Sequence, residues 1–318
     1  VHKVGQRKGS NPKTANRTRP LAGHPIEKLS SNFTKEKTMS KMIPVVELFG
    51  NTIQGEGALV GTPAIFVRVF GCNLCCAGFG MPAGELSHEA DDIVKSEQFK
   101  NAKTIKDLPL AKTGCDSYPA IHPACMRFCK MFDVSGLVEA IKEIAGDNKP
   151  LVVFTGGEPL LRQYDLACVI DDLHRKYHFK DFMFETNGTV AWQELWINEC
   201  PGINLWFSIS PKLSSSGNPK DKAIVPDAVK SMAVAEPQRT YLKFVVDKTT
   251  PIDEVQQTIE ELTRPCINLL PVYLMPEGGV LDDRSRENAQ YVADLCWKLG
   301  YRFSPREHLT VYGNAWAK

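Results

Sequence analysis

An α/β fold with a largely parallel sheet is the class this sequence predicts, on three observations. Short β-branched and aromatic runs alternate with amphipathic stretches of helical period from residue 43 onward. The apolar runs suit strands buried on both faces, as the strands of a covered parallel sheet are. Polar, glycine-containing signatures follow those runs directly, so reactive side chains would gather beyond the carboxyl ends of the strands. Strands separated by helical segments imply βαβ units, doubly wound or curled into a barrel.

In chain order, AIFVRVF (64–70) reads as the first strand. DVSGLVEAIKEIAG (133–146) predicts a helix capped at Asp133 or Ser135 and stopped at Gly146. PLVVFTGGEP (150–159) is a strand ending in a glycine turn, and YDLACVIDDLHRKY (164–177) is the helix after it. Strands follow at 181–188, 204–210 and 240–247, then a helix at 251–263, a strand at 268–276 and a helix at 283–299. Segment 78–132, rich in Lys, Asp and Pro, fails to fit the alternation and reads as an insertion between the first strand and its helix. PACMRFCKMF (123–132), inside it, reads as a helix that packs Cys125 and Cys129 on one face.

At 318 residues and 43% hydrophobic composition the chain can bury a sizeable core. No apolar run reaches the length of a membrane span and no signal segment opens the chain, so a cytoplasmic protein is expected, with no membrane partner. The net charge of +1 conceals a basic start: residues 1–42 carry ten Lys and Arg against two Glu. A basic tail can bind nucleic acid, but this one has a single aromatic, Phe33, and no apolar periodicity, so it is expected to be disordered. The chain begins at Val1 and its first methionine is Met39, so residues 1–38 are read as an upstream or appended extension. One domain over 43–318 is expected to follow.

Ten cysteines are too few and too unevenly placed for a disulfide scaffold, and their clustering favours metal or catalysis. Cys168, Cys200, Cys266 and Cys296 stand singly and read as core or surface residues. GCNLCCAGFG (71–80) is the informative stretch. Cys72 and Cys76 have the spacing of the first two thiolates of a C-x3-C-x2-C loop, but Phe79 stands where the third is due. A structural zinc site drawn from Cys72, Cys75, Cys115, Cys125 and Cys129 fits the cysteines equally well, and the thiols alone do not decide.

Motifs beyond the cysteines do. VELFGNTIQGEG (46–57), AIFVRVFGCNLCC (64–76), VVFTGGEPLL (152–161), FETNGT (184–189), ISPK (209–212), LKFVVD (242–247), LMPEG (274–278) and SPREHLTVYGN (304–314) occur in this order. In them the chain resembles the 7-carboxy-7-deazaguanine synthases, radical S-adenosylmethionine enzymes. The resemblance spans essentially everything after the basic tail. It implies a partial, modified (β/α) barrel that holds a 4Fe–4S cluster, S-adenosylmethionine and Mg²⁺. The implied reaction begins with reductive cleavage of S-adenosylmethionine to a 5′-deoxyadenosyl radical. That radical takes a hydrogen from 6-carboxy-5,6,7,8-tetrahydropterin, whose ring contracts with loss of ammonia to 7-carboxy-7-deazaguanine. A flavodoxin or ferredoxin as electron donor, and a homodimer, are implied with it.

The family's cluster loop ends in Cys-Asp-Thr, and here GCDS (114–117) supplies the nearest match. By that alignment Cys115 joins Cys72 and Cys76 as the third cluster ligand, Cys75 is a bystander and Ser117 offers Mg²⁺ its hydroxyl. Gly114 and Asp116 then lie near S-adenosylmethionine. The long loop this creates costs on the order of 2–3 kcal/mol in closure entropy beyond a tight one. By resemblance Gly157, Glu158, Ser210, Pro211 and Lys212 also contact S-adenosylmethionine. Gly156 and Gly157 would let backbone approach it, Glu158 would accept from its amino group, and Ser210 and Lys212 would reach its ribose or carboxylate. Ile53, Gln54, Gly55, Glu56, Arg68, Thr155 and His308 would line the pterin pocket, with Glu56 accepting ring N–H groups and Arg68 pairing with the carboxylate. Two rivals share part of this pattern: a glycyl-radical activase, which needs no pterin-shaped QGEG pocket, and a zinc-stabilised nucleic-acid-binding module.

Overall fold

The computed structural model describes residues 42–193, 195–266, 269–278, 283–313 and Trp316. The basic segment expected to be disordered lies outside the described residues except for Met42.

Strand β1 (Ile43–Ile53) runs antiparallel to β2 (Pro63–Val69) and to the short β3 (Lys130–Phe132). From β2 the sheet is parallel through β4 (Leu151–Gly156), β5 (Asp181–Thr186), β6 (Asn204–Ile209), β7 (Thr240–Val246), β8 (Val272–Pro276) and β9 (Arg302–Phe303). Its order is β3-β1-β2-β4-β5-β6-β7-β8-β9. The helices are α1 (Glu89–Lys95), α2 (Glu97–Asn101), α3 (Val134–Ala145), α4 (Gln163–Tyr177), α5 (Lys220–Ala223), α6 (Pro226–Ala235), α7 (Ile252–Thr263), α8 (Asp283–Leu299) and α9 (Glu307–Tyr312). None is long and apolar enough, among the described residues, to cross a membrane.

Local chemistry accounts for the predicted elements. Asp133 accepts from Gly136 N at 2.7 Å and starts α3, and Gly146 ends it at φ +57°. The period of two along the strands sorts side chains between two faces. Val67, Phe154, Phe184, Phe207, Leu242 and Phe244 point to the helices and form the main core with Leu137, Ile141, Leu166, Ile170 and Val255. On the opposite face lies a polar row. Glu47 is in register with Arg68, Arg68 with Thr155, Glu185 with Ser208, and Ser208 with Tyr241.

The sheet curls around that polar face. Although β1 and β9 are far apart in strand order, Glu307 N donates to Gly55 O at 2.9 Å and Gly57 N to Ser304 Oγ at 2.8 Å. The segment after β1 therefore meets the segment after β9. No strand ladder joins those edges among the described residues, so the sheet is a partial barrel.

Several sequence expectations change. PACMRFCKMF is not one helix: Pro123–Phe128 is a 3-10 turn, and Lys130–Phe132 pairs with the β1 edge, where Ile43 faces Phe132. The strand expected from 268 begins at Val272; position 268 is outside the described residues, and Leu269 is 91% exposed. The insertion has a core of its own, in which Ile93, Phe99, Ile105, Leu108, Tyr118 and Cys125 pack with Val46. Cys129 packs against that cluster rather than facing Cys72 and Cys76. Trp316 closes it from the far end of the chain, donating Nε1 to Leu108 O at 2.9 Å with its ring 6.4 Å from that of Tyr118.

Phe184 sits at the centre of the main core, its ring 5.2 Å from Phe154, 5.5 Å from Trp192 and 5.9 Å from Phe207. Phe184→Ala should lower unfolding free energy by about 3–5 kcal/mol, read as a fall in the urea midpoint at unchanged slope.

Candidate active site

Four strand-following loops converge at the carboxyl end of the sheet. The cysteine loop after β2 is held at its root: Gly71 N donates to Ala120 O at 2.8 Å, and Glu158 N donates to Gly71 O at 2.8 Å. Gly157 packs so closely there that a Cβ would lie 2.1 Å from Gly71 O and 3.1 Å from the Cβ of Cys72. The glycine is required by this close approach of two backbones.

The insertion leaves and returns at one point. Gly114 N donates to Phe79 O at 2.7 Å, and Ser87 N donates to Ala77 O at 2.7 Å. Glu89 braces the returning segment, accepting from Lys112 N, Thr113 N and Thr113 Oγ1. Phe79, where a third thiol was due, is thus hydrogen-bonded to the residue just before Cys115. Burial pushes the Cys72, Cys76 and Cys115 thiols up. Cys76 is close enough to both other thiols for a charge on it to raise them further, while Lys212 faces all three and opposes the rise. Cys75 points to solvent, and Cys125 is buried in the insertion's own core. Among the described residues, no three His, Cys, Asp or Glu side chains come together tightly enough to share one metal ion.

Neighbouring loops furnish donors to these sulfurs. Cys72 Sγ receives Leu74 N at 3.5 Å and Asn187 Nδ2 at 3.8 Å, and Cys76 Sγ receives Asn218 Nδ2 at 3.4 Å. Lys212 Nζ donates to Ser210 Oγ at 3.2 Å, beside the buried Pro211. Asp116 is exposed at the rim.

Glu158 differs from its expected use. Wholly buried, it accepts from Leu160 N at 3.0 Å and Thr186 Oγ1 at 2.8 Å through Oε1, and from Asn187 N at 2.7 Å through Oε2. It ties the β4 and β5 loops together instead of presenting an open carboxylate. Burial raises its pKa against those hydrogen bonds.

The polar inner face forms the second half of the site. Arg68 donates Nε to Glu47 Oε2 at 2.9 Å and Nη1 to Ser117 Oγ at 3.1 Å, with Thr155 beside it in register. The guanidinium is therefore partly engaged by protein, and it meets the hydroxyl expected to hold a divalent cation. Gln54 is 2% exposed and also spent within the protein: Nε2 donates to Glu185 Oε1 at 3.0 Å and to Met183 Sδ at 3.2 Å, while Oε1 accepts from Glu56 N at 3.1 Å. It shapes the turn after Ile53 rather than offering a free edge.

Glu56 lies among cations. It pairs with Lys243 and stands 3.4 Å from Arg306 Nε. Burial alone would raise its pKa, but attraction to Lys243, Arg306 and His308 holds it down at about 2. Lys243, nine-tenths or more buried, is raised by the same pair in spite of its own burial. His308 is lowered, by burial first. It abuts Gly55 so closely that a Cβ there would sit 1.9 Å from its Nδ1. Sequence reasoning missed Lys243, Arg306, Glu185 and Asn187 as members of this network. The one local signal was the single lysine in the apolar strand LKFVVD.

No family model matches the chain. Curated relatives do. The 7-carboxy-7-deazaguanine synthase of Halobacterium salinarum is 31% identical over 293 residues, covering 86% of this chain and 91% of that protein. The proteins of the same name from Hyperthermus butylicus and Rhodopirellula baltica are 26% and 24% identical over 87% and 92% of this chain, and 96% of each relative is covered. Among solved structures, QueE from Escherichia coli superposes with a TM-score of 0.52 at 21% identity over 84% of this chain and 94% of that chain, a likeness of fold.

The Glu56–Lys243 pair sets an acid limit on stability. Because the pKa of Glu56 falls from 4.5 to about 2 on folding, its contribution is whole above pH 4.5 and is lost as pH drops towards 2. Glu56→Gln, which leaves Lys243 buried without its anion, should cost about 3–5 kcal/mol at pH 7 and flatten the fall in stability between pH 4.5 and 2, as followed by urea titration.

Proposed function

The chain belongs to the 7-carboxy-7-deazaguanine synthase family, and from that premise we propose that it is a carbon–nitrogen lyase converting 6-carboxy-5,6,7,8-tetrahydropterin to 7-carboxy-7-deazaguanine with loss of ammonia. The observation that carries this reading is the return of the insertion beside Phe79, which sets Cys115 next to Cys76 and in the field of the same Lys212 as Cys72 and Cys76.

The residues present fit an iron–sulfur cluster. Three thiols in the field of the same Lys212 share one end of the site, and N–H groups face two of their sulfurs, a soft donor set of the kind an iron–sulfur cluster takes. Coordination takes the thiolate, so the burial that raises these thiols is a cost that the metal–sulfur bonds must offset, and binding releases their protons. Cys72, Cys76 and Cys115 would hold the cluster. When bound, the cluster with S-adenosylmethionine would supply the radical chemistry, with a flavodoxin- or ferredoxin-type protein as the electron source.

The remaining work falls to the chain's own side chains. The close-packed Gly156–Gly157 turn and the rim residues Gly114 and Asp116 border the S-adenosylmethionine side, where Ser210 and Lys212 supply a hydroxyl and a cation. Glu158 contributes by fixing the loops there. Arg68 and Ser117, 3.1 Å apart, form the carboxylate end of the pterin pocket, and Ser117 would hold Mg²⁺ there. Glu56 stays ionised and accepts ring N–H groups, while Gly55, Thr155 and His308 border the ring.

The test is the anaerobically reconstituted protein with reductant, S-adenosylmethionine and the carboxypterin. Formation of 7-carboxy-7-deazaguanine is expected. Release of 5′-deoxyadenosine without that product would keep the reaction class and sink the substrate, as a glycyl-radical activase would require; bound zinc with no 5′-deoxyadenosine would sink the enzyme reading. Arg68→Ala should lower kcat/KM for the carboxypterin by about 10- to 100-fold, the loss expected for a hydrogen bond to a charged group, chiefly through KM.

A further inference from the structure

The loop between β6 and α5 carries a side chain that no motif singled out. Asn218 uses both ends of its amide on the cysteine turn: Oδ1 accepts from Cys75 N at 3.0 Å, and Nδ2 lies 3.4 Å from Cys76 Sγ and 3.1 Å from Ser216 Oγ. An amide nitrogen has two N–H groups, so both acceptors can be served at once.

Its platform is rigid. Ser216 is fully buried, and its carbonyl accepts from Gly78 N at 3.0 Å. The backbones are so close that a Cβ on Gly78 would lie 2.7 Å from Gly217 N. On the other side Glu254 of α7 anchors the turn, accepting from Ser214 N at 2.6 Å and Ser214 Oγ at 2.7 Å. Hydrogen bonds at both ends of the short Ser214–Asn218 segment thus tie it to helix α7 and to the sulfur of Cys76.

We infer that Asn218 is a positioning residue that fixes the Cys75–Cys76 turn and sets the reduction potential of the cluster by donating its side-chain N–H to Cys76 Sγ. The inference rests on the proposed reading that Cys76 is a cluster ligand. An N–H aimed at a ligating sulfur favours the more negative, reduced state and so raises the potential. Asn187 makes the corresponding approach to Cys72 Sγ, but at 3.8 Å, and its effect is smaller.

The experiment uses the full chain with its cluster reconstituted anaerobically: wild type, Asn218→Ala and Asn218→Asp. Iron per chain, the midpoint potential, and the deuterium sensitivity of the iron–sulfur stretching bands in resonance Raman spectra are measured. Both variants should lose the deuterium shift contributed by this donor. At a fixed potential the ratio of reduced to oxidised cluster in Asn218→Ala should fall about tenfold, equivalent to about 59 mV for one electron. Asn218→Asp keeps an oxygen for Cys75 N but drops the donor. Its added charge bears on the potential and not on the isotope response, so it separates donation from loop holding, and it decides the matter if Asn218→Ala fails to load iron. An unchanged deuterium shift in an iron-loaded variant overturns the inference. A wild-type chain that takes up no iron overturns the cluster reading itself, a result distinct from the first.

Discussion

The hydrogen bond from Gly114 N to Phe79 O brings together two parts of the chain that a long insertion would otherwise separate. Everything proposed for the thiols depends on it, because it makes Cys115 continuous in space with a loop from which it is remote in sequence. Loop-closure entropy opposes such a contact only logarithmically with length. The insertion offsets that cost with its own core around Phe99 and Tyr118, with the Glu89 bonds to residues 112 and 113, and with Trp316 docked on Leu108. The last contact links the chain's carboxyl end to the segment that carries Cys115.

A second constraint is electrostatic. The inner face of the partial barrel is lined by Glu47, Arg68, Glu56, Lys243, Glu185 and Arg306, charges that would be costly if buried singly. Five of them are ion-paired, Arg68 with Glu47 and Glu56 with Lys243 and Arg306, while Glu185 accepts from Gln54 Nε2. The pairing with Lys243 and Arg306 keeps Glu56 anionic deep in the fold.

The parallel strands β2 and β4 to β8 and the helices α3, α4, α7 and α8 were legible because each is either largely apolar or cleanly amphipathic, whereas the two-residue β9 is too short to leave a pattern. Strand β1 was not, since its pairing with β2 shifts register at Val45/Glu47 and Phe49/Thr52, and Asn51 adopts φ +54°. The residues of the candidate site were legible as motifs, but their partners were not. That Glu158 and Gln54 are consumed by protein donors depends on which backbone N–H groups the fold brings to them. Lys243 stood out as a lone cation in an apolar strand, yet only the curl of the sheet shows that it faces Glu56. Asn218 carried no local signal at all, because its role arises where two loops distant in sequence touch.

The central claim is that Cys115, and not Cys75, completes the set of thiolates begun by Cys72 and Cys76. Iron and sulfide content after anaerobic reconstitution of Cys115→Ala and Cys75→Ala tests it most directly. Cys75→Ala should assemble a cluster with the iron content and visible absorption of the unaltered chain, and Cys115→Ala should not. Full iron loading in Cys115→Ala, with loss in Cys75→Ala, would contradict the account.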